Sequence, residues 1–94
     1  MSDPTLDISL DARSRAAYLR LSAGDVARTH EVHPELMLDT DQAGDAVGIE
    51  ILSIQAFEFF AANQRDLSNR FRMRLLRSED LETVRAFFEE KKAS

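Results

Sequence analysis

Carboxylates and a glycine near the middle of the chain have the spacing of a calcium-binding loop. With Asp39 at position 1, acidic residues also stand at position 3 (Asp41) and position 12 (Glu50), and Gly44 stands at position 6. Two features oppose a calcium site: position 5 is Ala43, which has no ligand atom, and the flanking residues alternate like strands rather than helices. The sequence therefore favours a hairpin turn with solvated carboxylates and predicts no metal site.

Two histidines, His30 and His33, flank Glu31 and form a second candidate for metal binding. In a regular strand these histidines point to opposite faces, so they could not bind one ion without a bend near Pro34. No third ligand of known position completes the set. The alternative is two exposed histidines on an edge strand, and we predict neither a metal nor another cofactor.

Tyr18, Arg20 and Glu50 are polar residues among the apolar positions of two expected strands. They could line a small polar pocket for a ligand. A cross-strand ion pair between Arg20 and Glu50 explains them better, and such a pair contributes under about 1 kcal/mol. The chain shows no nucleophile beside a base, no glycine-rich phosphate loop and no paired carboxylates in a cleft, so the sequence predicts that it is not an enzyme.

The elements that carry these residues are short strands in the first half of the chain. Alternating apolar residues predict strands over residues 8–10, 16–22, 26–32, 36–39 and 47–53, and residues 1–6 are expected to be a frayed terminus. The connections are short, so we expect sequential neighbours to pair antiparallel as a meander. The strand over 26–32 is polar on both faces, which predicts an edge position.

After Ser53 the apolar period becomes helical. It predicts a helix over 54–64 with Ser53 as its N-cap, and a last helix that Ser78 can cap. Residues 70–77 fit a helix or a strand, and we favour a helix because Arg, Met and Leu are good helix formers. The expected fold class is α+β: a small antiparallel β-meander of four or five strands followed by two or three helices. It forms a single domain over 1–94, with the meander at 8–53 and a helical segment at 54–94.

Charge divides the chain in two. Residues 1–53 contain four arginines and ten acidic residues, a net charge of −6, whereas residues 54–94 contain eight basic and seven acidic residues, a net charge of +1. Overall acidity disfavours a nucleic-acid partner. No apolar run approaches the length of a membrane span, and the chain has no cysteine or signal peptide, so we expect no membrane contact and a cytoplasmic protein.

Two stretches resemble a small bacterial domain family of unknown function, the one numbered twenty-two eighty-three. The positions that match are Asp11, Ala16, Tyr18, Leu19, Leu21 and Ser22, then Asp39, Asp41, Gly44, Val47, Gly48, Ile49, Glu50, Ile51 and Leu52. The resemblance covers about residues 8–53 and departs at Leu10, where tyrosine is common, and at Arg15, where an acidic residue is usual. It implies a small antiparallel sheet without an established activity. It also implies an antitoxin role for some members, which are encoded beside small toxin-like proteins.

Arginines and phenylalanines are concentrated in the helical segment. The residues that we expect at an interaction surface are Phe59, Phe60, Arg70, Arg72, Arg74 and Phe87. The simplest explanation is an amphipathic segment that docks on the acidic sheet, within the protomer or across a dimer; a surface for a protein partner is the next.

These observations make a non-enzymatic protein-interaction module that self-associates the leading prediction. The first alternative is an antitoxin-like partner of a small basic toxin. The second is a metal- or small-ligand-binding domain. The chain is thus expected to form a homo-oligomer or to bind a small protein.

Overall fold

The computed structural model describes the backbone of residues 7–93 and the side chains of residues 7–90. Five strands come first: β1 (Asp7–Asp11), β2 (Ala16–Arg20), β3 (Arg28–His33), β4 (Leu36–Thr40) and β5 (Ala46–Ile51). Three helices follow: α1 (Ile54–Ala62), α2 (Gln64–Phe71) and α3 (Ser78–Ala93). The predicted α+β class, an antiparallel sheet followed by helices, is confirmed. The expectation for residues 1–6 lies outside the described residues.

The strands form one antiparallel sheet in the order β1-β2-β5-β4-β3. Its pairing differs from a sequential meander at one step, because β2 pairs with β5 rather than with β3. The connection between β2 and β3 is therefore a crossing over residues 21–27 and not a tight turn. Strand β3 lies at the far edge of the sheet, as its polar sequence predicts.

Backbone hydrogen bonds show the route of this crossing. The N–H groups of Leu21 and Ser22 donate to the carbonyl of Val47 at 2.8 and 3.3 Å, and the N–H of Ala27 donates to the carbonyl of Thr40 at 2.8 Å. The segment thus passes the ends of β5 and β4 near their hairpin turn. Three strand spacings amount to about 14 Å, a distance that seven extended residues span easily.

One face of the sheet carries the hydrophobic core. Alternation places Ala17 and Leu19 of β2 on this face beside Ile49 and Ile51 of β5, and all four side chains are fully buried. Helix α1 packs against β4 and β5. The helices pack on this face, and the opposite face, which we call the open face, has no covering layer within residues 7–93.

Helix α1 begins as its sequence predicts. The Ser53 hydroxyl accepts a hydrogen bond from the N–H of Ala56 at 3.1 Å, and Phe57 and Phe60 are fully buried beneath the helix. The helix ends at Asn63, whose side-chain amide donates to the carbonyl of Phe59 at 2.8 Å. The predicted helix over 54–64 is thus confirmed as far as residue 62, and α2 is a separate helix.

Residues 72–77 form neither a helix nor a strand. Arg72 ends α2 in the left-handed conformation, with φ of 52°, so both interpretations of residues 70–77 are wrong beyond Phe71. Met73 and Leu76 are buried, whereas Leu75 is 42% exposed. The N–H of Leu76 donates to Oε1 of Gln64 at 2.8 Å. Side-chain burial and this hydrogen bond hold the segment without regular backbone pairing.

Helix α3 closes the core from the side of α1. It begins at Ser78, with Glu79 and Asp80 in its first turn, where carboxylates favour the positive end of the helix dipole. Val84 and Phe88 are buried in the core, and the Arg85 guanidinium lies 5.0 Å from the centre of the Phe57 ring. None of the helices in the described part of the chain has the length and apolarity needed to cross a membrane.

Candidate functional site

A hydrogen-bonded polar cluster on the open face is built around Tyr18. Its hydroxyl donates to Oδ2 of Asp39 at 2.7 Å, and the Thr29 hydroxyl donates to Oδ1 of the same carboxylate at 2.6 Å. Partial burial of the phenol, followed by its hydrogen bond to Asp39 and the charge of that carboxylate, raises the pKa of Tyr18 to about 12. Tyr18 is therefore a neutral hydrogen-bond donor at physiological pH.

Gly48 makes this arrangement possible. A Cβ added to Gly48 would stand 2.0 Å from the Tyr18 hydroxyl oxygen and 2.5 Å from the ring carbon that carries it. The phenol end of the Tyr18 side chain thus lies directly over the backbone of β5. A glycine inside a strand that is otherwise rich in large apolar residues is typical of such a close approach.

Glu50 lies opposite Tyr18 on one side and opposite Met37 on the other. The Glu50 side chain is partly exposed and forms no hydrogen bond or ion pair with any residue that the structure describes. The expected ion pair with Arg20 is therefore wrong. Arg20 instead donates from Nε to the carbonyl of Ser22 at 2.7 Å and from Nη2 to the carbonyl of Gly24 at 2.6 Å.

Strand register arranges the open face in two rows that cross the sheet from β1 to β3. The first row is Ser9, Tyr18, Glu50, Met37 and Glu31. The second row is Asp7, Arg20, Gly48, Asp39 and Thr29. Tyr18 and Met37 thus flank the Glu50 carboxylate at the centre of the sheet.

The charge on the open face is strongly acidic. Among the described residues, its carboxylates are Asp7, Asp11, Glu31, Asp39 and Glu50, and its basic side chain is Arg20. Arg28 of β3 pairs with Thr40, which is buried, and so belongs to the face under the helices. The expected ligand residues Tyr18, Arg20 and Glu50 do share one face, as part of a broad surface.

The residues that have the spacing of a calcium-binding loop have separate structural roles. Oδ1 of Asp41 accepts hydrogen bonds from the N–H groups of Ala43 and Asp45 at 3.0 and 2.9 Å, and Gly44 has a φ of 90°. The predicted hairpin turn is confirmed. Asp39 is held on the open face. No group of three or more His, Cys, Asp or Glu side chains that could hold a metal ion occurs in the described part of the chain.

The two histidines do not point to opposite faces, as a regular strand would require. A register shift between Glu31 and His33 places both on the face under the helices. His30 forms a hydrogen bond of 3.1 Å with the Thr40 hydroxyl, and the His33 ring stacks on Phe59 with centroids 4.0 Å apart. Both histidines are partly buried, so the expectation of two exposed residues is wrong.

Two of the predicted interaction arginines bind within the protomer. Arg72 donates to the carboxylate of Asp45 and, at 2.5 Å, to the carbonyl of Ala43, both in the β4–β5 turn. Arg74 donates to the carbonyl of Leu21 at the end of β2. The basic segment thus docks within one protomer, on the β4–β5 turn and on the residue that follows β2. Arg70 is exposed and lies 3.7 Å from the Asp66 carboxylate.

The phenylalanines expected at an interaction surface differ in burial. Phe60 is fully buried and cannot contact a partner in the folded protomer. Phe59 and Phe87 are partly buried and pack against the core. Of these three phenylalanines, Phe59 and Phe87 retain exposed surface that the predicted self-association could use.

Sequence reasoning assigned no structural role to Gly48 and did not single out Met37. The signal for Gly48 is a glycine inside a strand whose neighbours are Val47 and Ile49. Met37 has no comparable signal, because its place beside Glu50 depends on the register between β4 and β5.

The part of the chain that is shared with a known protein family is the sheet. A family model described as a protein of unknown function (DUF2283) matches residues 8–54, which span the five strands and the first residue of α1. No curated protein and no solved structure matches the chain.

Proposed function

The chain belongs to the DUF2283 family, and from this premise we propose that it is a non-enzymatic protein-interaction module whose open face binds a basic protein. The observation that carries the proposal is Glu50. Among the described residues its carboxylate has no partner, and it lies at the centre of the face between Tyr18 and Met37. Aromatic and methionine side chains are enriched in protein interfaces, and acidic surfaces select basic partners.

The contrast with the helical segment supports the open face as the binding surface. Arg72 donates to Asp45 in the β4–β5 turn, and Arg74 donates to the carbonyl of the residue that follows β2. Phe60 lies in the core. On the open face, by contrast, five carboxylates accompany one basic residue, Arg20, in the described part of the chain. Among the residues whose side chains are described, no other basic residue lies on this face.

Charge also selects among the possible occupants of this face. A second copy would bring two acidic faces together, and the phosphates of a nucleic acid would meet the same carboxylates; both arrangements are repulsive. A protein with exposed arginines and lysines is attracted. An antitoxin-like partnership with a small basic toxin, implied by the family resemblance, is one form of this proposal.

Self-association through the phenylalanines stays a separate prediction. Phe60→Asp cannot test it, because a buried carboxylate would unfold the protomer. Phe59→Asp and Phe87→Asp test it by sedimentation equilibrium of the purified chain. A dimer that either substitution weakens would place a self-association site on the helical side.

The test of the proposal is a pull-down with the tagged chain at moderate salt, read by mass spectrometry. Glu31→Arg/Glu50→Arg reverses two charges on the open face, and Glu58→Arg/Glu82→Arg makes the same charge change at exposed positions on the helices. We expect one basic protein to co-purify with the wild type and with the helical control, and to be lost from the open-face variant. That protein is then produced alone, and its dissociation constants for the three chains are measured.

Two results would contradict the proposal. One is a captured protein that binds the open-face variant and the helical control equally, which would place its site elsewhere. The other is an acidic partner. Thermal unfolding of both double variants shows whether any loss of binding reflects loss of the fold.

A further inference from the structure

We infer that Tyr18 and Glu50 form a seat for an arginine side chain, in which the guanidinium stacks on the phenol ring and pairs with the carboxylate. This inference rests on the proposed function and names the side chain that the open face selects. It distinguishes arginine from lysine, which net charge alone does not.

The Tyr18 ring is fixed in place before any partner binds. It rests over Gly48, and its hydroxyl is held by Asp39, which the Thr29 hydroxyl orients in turn. A fixed ring loses little conformational entropy when a partner stacks on it. The phenol, whose pKa is raised to about 12, is neutral at physiological pH, and the face of a neutral phenol ring attracts cations.

Glu50 supplies the anionic part of the seat. It is the direct cross-strand neighbour of Tyr18 and has no donor within the described chain. A planar guanidinium can stack on an aromatic ring and give two parallel hydrogen bonds to one carboxylate, whereas an ammonium acts as a point charge. Met37, on the other side of Glu50, offers apolar surface for the methylene stem of the incoming residue.

Arg20 is the basic side chain that the described part of the chain places on the open face beside this seat. It belongs to the second row of the open face, where it lies opposite Gly48, and its guanidinium donates to the carbonyls of Ser22 and Gly24. It does not occupy the Glu50 carboxylate. Burial and Asp39 raise the pKa of Tyr18, and the Arg20 guanidinium partly offsets this rise through its charge and a hydrogen bond. The guanidinium thus lies at the phenol hydroxyl and forms no ion pair with Glu50 among the described residues.

The test compares two synthetic peptides of equal length and charge, one of alternating glycine and arginine and one of alternating glycine and lysine. Tyr18 is the only tyrosine and the chain has no tryptophan, so its intrinsic fluorescence reports on the seat alone. We expect the arginine peptide to bind about two- to fivefold more tightly and to change the Tyr18 emission. Calorimetry gives the affinities independently of the fluorescence.

Three variants separate the ring from the charge. Tyr18→Leu should abolish the preference for arginine, Tyr18→Phe should keep it, and Glu50→Gln should weaken binding of both peptides. Glu58→Gln, an exposed site on α1, is the matched control for Glu50→Gln and should change neither affinity. Glu50 is partly exposed, and its replacement by glutamine is nearly isosteric. Glu50→Gln therefore still tests the contribution of the carboxylate if Tyr18→Leu destabilises the fold.

Equal affinity of the wild type for the two peptides, or a preference that survives Tyr18→Leu, would overturn the arginine seat. Either result leaves the proposed function standing if the pull-down finds a basic partner on the open face. Failure of both peptides to bind would also overturn the seat. The proposed function fails separately, if the captured protein binds the Glu31→Arg/Glu50→Arg variant as tightly as the wild type.

Discussion

At the scale of single residues, the open face depends on a contact between a side chain and a backbone. The Tyr18 ring can reach Asp39 only because Gly48 has no Cβ in its path. The hydrogen bond and the burial that result hold the phenolic proton more tightly in the folded protein than in the unfolded chain. This contribution to stability is therefore complete below about pH 10 and is lost as the pH rises through about 12.

We predict that Gly48→Ala destabilises the protein by about 1–3 kcal/mol, because the added methyl group displaces the Tyr18 ring. The same substitution in a Tyr18→Ala background should cost under about 1 kcal/mol, since the ring that it clashes with is gone. Urea unfolding of the four chains measures this coupling.

Gly48→Ala should also change the pKa of Tyr18. Displacement of Tyr18 from Asp39 should bring its pKa down from about 12 towards its ordinary value near 10. Absorbance of the single tyrosinate measures this change directly. An unchanged pKa in Gly48→Ala, or an equal cost in both backgrounds, would show that Tyr18 does not depend on the missing Cβ.

The candidate site is partly visible in the sequence. Tyr18, Arg20 and Glu50 stand out as polar residues at alternating strand positions, and alternation correctly places them on one face. Their partners are not visible, because an alternating pattern does not say which strand lies beside which. Alternation also leaves the register open, and the register between β2 and β5 places Glu50 opposite Tyr18 and Gly48 opposite Arg20.

At the scale of elements, local patterns predict the strands and the start of α1 well. The Ser53 cap is an example, since it needs only residues three apart. Ser78, by contrast, is the first residue of α3 and not its predicted cap. Features that depend on an irregular backbone are not predicted by local patterns. The register shift in β3 turns His33 towards Phe59, and the left-handed Arg72 stops α2 inside a stretch of good helix formers.

The irregular segment after α2 gives a prediction at this scale. Met73 is 1% exposed and Leu75 is 42% exposed, although both lie in the same nonhelical stretch. Met73→Ala should therefore cost about 2–5 kcal/mol through the cavity that it leaves. Leu75→Ala should change stability by no more than about 0.5 kcal/mol.

Urea unfolding measures both substitutions, and the leucine serves as the matched control for the methionine. Similarly small losses of stability at the two positions would mean that the segment lies on the surface without docking. A large cost at Leu75 alone would mean that the segment packs with the opposite side towards the core.

At the scale of the whole molecule, the sheet depends on the helices for one of its faces. The family match over residues 8–54 contains the strands and almost none of the helical layer. Yet Phe57, Phe60, Leu67 and Val84 are buried in the core from the helical side. Without these side chains, the apolar face of the sheet would meet water.

We therefore predict that a chain ending after Ser53 does not fold cooperatively. The exposed apolar face should bind a hydrophobic dye, and thermal unfolding should show no sharp transition. Circular dichroism and dye fluorescence, compared with those of the full chain, measure both effects.

A complementation experiment separates loss of the helices from damage to the strands. Addition of a separately produced segment of residues 54–94 should restore the transition, because Arg72, Arg74 and the buried phenylalanines bring the contacts that hold it on the sheet. A truncated chain that unfolds as sharply as the full chain would show that the strands suffice alone. In that case the helical layer would be an addition to the domain and not part of its core.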